Sequence, residues 1–360
     1  MKKRLNKATS KSLDFEFKRE ENMTYLYKGG LGSVAALMLA CLTVPAFAQK
    51  GIDEPFQKSF REALAGKTVA YVPVAMNFDL TEGWYAGLKK ELEPYGVKFE
   101  IRDPNWNTNA GAQAVTSLIS EKPAVMVIHN PDVQTYAKLL QRAENEGIYV
   151  IQINMGSAYR SSAFVGANWI EIGERATDAV VKACQGKSNK IAIMQGALSA
   201  AASAYTLKGV ENVLAKHPEI KVVSSQAADW DAAKAKAIAQ TVLKQNPDLC
   251  GIVGFWDGKD IGTAAAIKEA GLTGKVFLAT SGGGERKGSC ELVKNGSFDL
   301  DLSYDVPTQA AQMAGTIKWL LSSGVKAGSV KGSEYTTLIP VTRENADNQM
   351  TCWNLSDLKK

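Results

Sequence analysis

Few side chains in this chain could carry bond-making chemistry. His129 and His217 are its only histidines, and they are far apart in sequence. Five cysteines are present, with no Cys-x-x-Cys among them. A zinc site or a histidine-based nucleophile therefore has too few parts, and no metal or cofactor is expected. Asp79 with Asp257 is the one carboxylate pairing that a hydrolase could use. Gly282-Gly283-Gly284 is not closed by Lys-Ser or Lys-Thr, so it is not a phosphate-cradling loop. A different chemistry recurs along the chain. Planar amides, carboxylates and Trp rings sit in short clusters: Asn77-Phe78-Asp79, Asp103 to Asn107 with Trp106, His129-Asn130, Asn154-Met155, Asp229-Trp230-Asp231, and Trp256-Asp257. Carbohydrate sites use this mixture. Rings cover the C–H faces of a sugar while amides and carboxylates bond its hydroxyls. Each neutral hydrogen bond adds only about 0.5–1.5 kcal/mol, so many must converge.

The elements that would position these clusters follow one repeated grammar. Thr68–Val74 is a continuous apolar run, the pattern of a parallel strand buried on both faces. A helix pattern follows over 83–94, a strand over Val97–Ile101, and a helix over 109–120. Val125–His129 and Ile148–Ile153 read as strands, and between them Asp132 is placed to cap a helix ended by Gly147. The series restarts near Lys190, about 122 residues after the first. Alternating strands and helices at this spacing predict two similar α/β lobes, each a doubly wound parallel sheet. Phe298–Ser303, a helix over 308–321 and Thr336–Thr342 read as chain returning between them. Ligands in such sheets bind beyond the carboxyl ends of the strands, which is where the polar-aromatic clusters fall.

The N-terminal stretch 23–48 has the layout of a secretory signal peptide: one Lys, an apolar run over 31–44, and Ala46-Phe47-Ala48. Cleavage is expected after Ala48, with Met23 as the true start and residues 1–22 as a charged extension. A lipoprotein reading at Cys41 lacks the usual Leu three places earlier. Eight of the 42 basic residues and four of the 37 acidic ones lie in the first 48, leaving 34 against 33. No residual basicity points to nucleic acid or an anionic membrane. The four remaining cysteines allow three pairings in an oxidising compartment.

In order and spacing the chain resembles the type I periplasmic binding proteins of ABC transporters, in the group of ribose- and galactose-binding proteins. The resemblance runs over residues 66–342. It rests on the opening strand with Asn77, on ENEGIYVIQIN, AFVGANWIEIGE, QAADWDAAKA and FWDGKDIGTAAAIKEAG, and on KNGSFDLDLSYDVP. It implies two lobes joined by a three-crossover hinge that closes on the ligand. The implied crossovers lie near Asn154-Met155, at Ser281–Gly284 and around Val330–Tyr335. Residues 66–154 with 282–330 would then form lobe 1, and 155–281 with 331–360 lobe 2. In this alignment Trp230 falls at a stacking aromatic position. Asn154-Met155 replaces an Asp-Arg pair, Ala204 an Arg, Trp256 an Asn, Ser281 an Asp and Tyr304 a Gln. The polar grips have become neutral, smaller or aromatic, which disfavours ribose, phosphates and carboxylates.

The expected ligand residues are Asn77, Phe78, Asn130, Asn154, Trp230, Trp256, Asp257, Ser281 and Tyr304. Plain packing competes for Trp84, Tyr85, Trp106, Trp169 and Met155. Helix capping competes for Asp132, Asp231 and Asp257, and a structural role for His129. Strand order places Cys184 beside Cys250 at the end opposite the ligand, and Cys290 is paired with Cys352. The resulting expectation is not an enzyme. It is a monomeric extracytoplasmic protein that binds a small neutral polyhydroxylated ligand and delivers it to an ABC permease in the inner membrane. The alternatives are a periplasmic sensor partner for a chemoreceptor or sensor kinase, and a hydrolase.

Overall fold

The structure, a computed structural model, describes residues 55–360. The leader, its cleavage site and Cys41 lie outside the described residues. After helix α1 (Pro55–Leu64), the first lobe alternates β1 (Thr68–Val72), α2 (Asp79–Leu92), β2 (Lys98–Ile101), α3 (Thr108–Glu121), β3 (Val125–Ile128), α4 (Ala137–Asn145), β4 (Tyr149–Ile153) and β5 (Ala163–Gly166). The second alternates α5 (Trp169–Cys184), β6 (Lys190–Gln195), α6 (Ala201–Leu214), β7 (Lys221–Ala227), α7 (Ala232–Gln245), β8 (Gly251–Gly254), α8 (Asp257–Glu269), β9 (Phe277–Gly282), α9 (Cys290–Lys294) and β10 (Leu300–Ser303). Then come α10 (Val306–Ser323), β11 (Gly332–Tyr335), β12 (Ile339–Val341) and α11 (Leu355–Leu358).

Each lobe is a six-stranded sheet. Their orders are β11-β5-β4-β3-β1-β2 and β12-β10-β9-β8-β6-β7. All pairings are parallel except that of β10 with β12. The central strands β3 (VMVI) and β8 (GIVG) are buried at every residue, because helices cover both faces of each sheet. This is the doubly wound two-lobe architecture expected from the sequence.

The chain changes sheets elsewhere than expected. It crosses after Gly166, at Tyr304-Asp305 and at Thr336 to Leu338, so the placements near Asn154-Met155, Ser281–Gly284 and Val330–Tyr335 are corrected. At Asn154 the backbone turns left-handed (φ 63°) and its N–H donates to the Val165 carbonyl at 2.7 Å. The chain therefore doubles back and adds β5 to the same sheet. β9 and β10 are both in the second sheet, so the Gly282 turn stays within that lobe. β11 (GSEY) is exposed at all four positions and carries no apolar strand signal, yet it pairs along β5. A single residue laces the three crossovers. The Thr336 N–H donates to the Gly166 carbonyl at 3.0 Å, and its hydroxyl donates to the Tyr304 carbonyl at 2.8 Å.

The last residues are also reassigned. Disulfides join Cys184 to Cys250 and Cys290 to Cys352, with Cα separations of 5.4 and 6.2 Å, the pairs expected from the sequence. The second holds Cys352 on lobe 2. Trp353 then reaches across to lobe 1. Its indole N–H donates to the Gly283 carbonyl at 2.7 Å, while its ring lies where a side chain on Gly83 of α2 would go. Lys359 pairs with Glu82 of α2 at 2.6 Å. The Trp353 backbone stays paired with Gly284 and Arg286 of lobe 2, while its ring and residues 355–360 sit on α2 of lobe 1.

Candidate functional site

The strand ends of both lobes face one cleft, and two matching turns arm it. After β2 the Asp103 carboxylate accepts from the Asn105 N–H at 2.8 Å. This tight turn puts Asn105 and Trp106 in the left-handed region, at φ 47° and 65°. After β7, Asp229 and Trp230 do the same, at φ 50° and 65°. The residue that follows each Trp caps the next helix: Asn107 accepts from the Ala110 N–H at 3.0 Å, and Asp231 from the Lys234 N–H at 2.7 Å. Asp231 is thus accounted for by capping. Asp132 is not a helix cap. It accepts from the Gln134 and Thr135 N–H groups at 2.7 Å in a separate turn, and α4 begins only at Ala137.

Four rings meet between the lobes. Phe78 stacks on Trp106 (centroids 5.5 Å, 18°), and Trp256 meets Phe78 at 5.5 Å and Trp106 at 6.3 Å. Trp230 meets Trp256 edge to face, at 6.2 Å and 78°. Glycines make room for both lobe 2 rings. A Cβ on Gly196 would lie 2.0 Å from the Trp230 ring, and one on Gly258 would lie 2.4 Å from the Trp256 ring. Behind this partition lies a cavity of about 40 Å³, and outside it a recess of about 610 Å³. Trp106, Trp230 and Trp256 wall both. Sites for small organic ligands span roughly 300–1,000 Å³; the recess falls within that range, and the inner cavity is far below it while the rings stay in place.

Of the nine expected ligand residues, five line the inner cavity: Phe78, Asn154, Trp230, Trp256 and Tyr304. The other four lie outside its wall. Asn77 points to solvent at the start of the turn before α2. Asn130 is buried and donates its amide N–H groups to Gln152 Oε1 (2.9 Å) and the Met155 carbonyl (2.8 Å), fixing the β3–β4 strand ends, while its Oδ1 has no partner among the described residues. Ser281 is buried in β9 and donates to the Phe255 carbonyl at 3.2 Å. Asp257 lies under the site, its carboxylate packed against Gly282.

Residues 69–324 match the family described as periplasmic binding protein domain. The chain belongs to this family. The D-allose-binding periplasmic protein of Escherichia coli is 30% identical over 150 residues, which span 39% of this chain and about half (48%) of that protein. A xylitol-binding protein of Mycolicibacterium smegmatis is 23% identical over 290 residues, 78% of each chain. Among solved structures, a galactofuranose binding protein superposes with a TM-score of 0.71 at 20% identity, covering 81% of this chain and 98% of its own.

Around this family's cleft the electrostatics are set by burial. Asp257, Asp301 and Asp79 gather behind Tyr304, and the nearby buried Lys259 feels Asp257 but pairs with Asp260. Burial pushes the Asp301 carboxyl up to about 7, helped by the charges of Asp79 and Asp260, and the Asp79 carboxyl up to about 6. Asp257 is raised by burial first and then by Asp301 and Asp79. The Asp79 and Asp257 pairing considered for a hydrolase therefore belongs to this buried cluster, and neither residue is in the inner cavity wall. A buried ion pair supports Trp256. Lys259 and Asp260, both fully buried, meet at 2.8 Å, and Asp260 also accepts from Thr280 at 2.8 Å and from the Trp256 N–H at 3.3 Å.

The inner walls also include Met155, for which packing competed with a ligand role, and Val74, Leu80, Ala202 and Phe255, none of which was singled out for the ligand. Apolar residues at strand ends read as core, and only the lobe geometry turns them toward a cleft. Trp169 does more than pack on its helix. It lines the cavity, donates to the Asn154 carbonyl at 2.9 Å and meets Tyr304 at 5.4 Å. Trp84 is core, fully buried, with its indole N–H on Gln309 Oε1 at 2.8 Å.

Proposed function

We propose that this periplasmic binding protein takes a small neutral sugar or sugar-like polyol into the inter-lobe cleft and delivers it to an ABC permease. It works as a monomer in the periplasm after its leader is removed. The observation that carries the reading is the convergence of Phe78 and Trp106 from one lobe with Trp230 and Trp256 from the other on a cavity whose polar wall is uncharged. Rings from both lobes suit the C–H faces of a saturated ring. Relatives whose names specify D-allose, xylitol, galactofuranose, D-apiose and ribose support the ligand class. Crossovers that meet at one threonine suit a hinge, whose opening would part the four rings.

A thermal-shift screen of sugars, polyols and cyclitols tests the reading. A ligand at 100 times its Kd stabilises the folded state by about 2.7 kcal/mol, a readily measured rise in Tm. No rise with any of them rejects the ligand class. N-terminal sequencing of protein from a periplasmic extract should begin at Gln49. A chain that keeps residues 1–48 in the cytoplasm rejects the localisation.

A further inference from the structure

Two polar side chains in the cavity wall carry polar atoms with no hydrogen-bond partner among the described residues. His129 is 2% exposed, and neither ring nitrogen has a hydrogen-bond partner among the described residues. Asn154 is 4% exposed, and its Oδ1 is likewise unpartnered. Both line the inner cavity. An unpaired buried polar group costs about 1–3 kcal/mol, and nearly all such groups in native proteins find partners. Three such atoms around one small cavity are therefore available to a ligand that enters it.

Both side chains are also held in place. The Trp84 and His129 rings meet at 5.2 Å and 89°, and Trp84 is itself fixed by Gln309. Asn154 is locked by its left-handed backbone, its N–H on Val165 and its carbonyl under the Trp169 indole. Burial pushes the His129 pKa down to about 3, so the imidazole is neutral at any physiological pH. It then offers one donor and one acceptor, and the Asn154 amide oxygen a second acceptor. An anion supplies no donors for the two acceptors, and an ammonium supplies no acceptor for the N–H. Adjacent hydroxyls supply both.

We infer that His129 and Asn154 form the hydrogen-bonding pole of the ligand site and take a vicinal diol of a neutral ring, whose remaining faces meet the aromatic wall. This rests on the reading of the cleft as a site for neutral polyhydroxylated rings, and it makes His129 a specificity residue.

The test uses the full mature chain with D-allose, D-ribose, D-galactose and myo-inositol, and with the monodeoxy analogues of each. Calorimetric titration compares wild type with His129→Phe, His129→Gln and Asn154→Gly, the last keeping the left-handed backbone. For whichever probe binds, His129→Phe should lose at least tenfold in affinity, while His129→Gln, with a donor and an acceptor, recovers much of it. Removing one diol hydroxyl from the ligand should weaken wild type but cost nothing further in His129→Phe. A structural role would not produce that non-additivity. A folded His129→Phe or Asn154→Gly variant with unchanged affinity overturns the inference alone, as does additivity with the deoxy analogue. No binding of any probe to wild type overturns the reading, and the inference with it.

Discussion

Trp106 and Trp230 occupy matching places in the two lobes and wall the same recess. Each follows an edge strand, each has φ 65°, and each directly precedes the residue that caps the next helix. Bulky residues rarely adopt this backbone, which costs of order 1–3 kcal/mol and clusters at binding sites. The two turns thus hold both indoles toward the cleft against a local conformational preference.

This geometry separates two contributions of Trp230. Trp230→Ala removes the ring and should lower affinity by roughly 2 kcal/mol, about 30-fold in Kd. Trp230→Gly removes the same ring but relieves the left-handed strain. The glycine variant should therefore bind as weakly as the alanine variant and unfold at a higher urea concentration. Calorimetric titration and urea melts measure the two effects. Alanine and wild type binding equally would remove Trp230 from the site.

Gly196 gives an independent test, because it leaves the ring chemistry intact. A methyl there would overlap the Trp230 ring, whose nearest atoms lie 2.0, 2.1 and 2.3 Å from the added Cβ. Gly196→Ala should swing Trp230 out of the partition, quench or shift its fluorescence, and weaken binding by at least tenfold. Unaltered Trp fluorescence together with unaltered affinity would mean that the ring has a second seat.

The two lobes were legible because buried parallel strands such as TVAYV and VMVI are continuous apolar runs, and the second series repeats the first. Phe78, Trp230 and Trp256 were legible as aromatics at strand ends. The crossovers were not. Asn154 looks like a strand end leading to a new lobe, and only the left-handed turn that adds β5 reveals otherwise. β11 is wholly exposed and has no period to detect. Asn130 and Ser281 read as ligand groups by type and place, and the bonds that hold them come from elements distant in sequence. His129 was weighed as structural. The ligand role inferred for it rests on ring nitrogens that have no hydrogen-bond partner among the described residues, a property that only packing exposes.

The disulfides should differ in what they hold. Their Cys residues are 66 and 62 positions apart, so loop closure alone assigns each about 4 kcal/mol. Cys184–Cys250 ties α5 to β8 within lobe 2, and replacing both by Ser should lower Tm without local effects. Cys290–Cys352 also anchors the tail that reaches lobe 1. Its double Ser variant should lose hydrogen-exchange protection at the Trp353 amide, which donates to the Gly284 carbonyl at 3.2 Å. Equal protection of that amide in both proteins would show that the Trp353 contacts and the Lys359–Glu82 pair hold the tail unaided.

The buried carboxyls behind Tyr304 should give the protein an inverted response to mild acid. Asp301 is raised to about 7 and Asp79 to about 6, in each case chiefly by burial, and Asp257 is raised as well. In the unfolded chain these groups titrate near about 4. Between those values the folded state binds more protons than the unfolded state, so stability falls as pH rises. Their favourable contribution is complete below the unfolded pKa and is lost as pH climbs through 6 and 7. Tm should therefore be higher at pH 5 than at pH 7.5. Asp301→Asn, neutral at both, should flatten the profile and raise Tm at pH 7.5, where the wild-type carboxylate is ionised in an apolar site. Each pKa unit corresponds to about 1.4 kcal/mol, and roughly 2–4 °C accompany each kcal/mol in a chain of this size. Differential scanning calorimetry across pH 5–8 decides it, and a wild-type Tm that climbs with pH through this range would show that the cluster does not control the response.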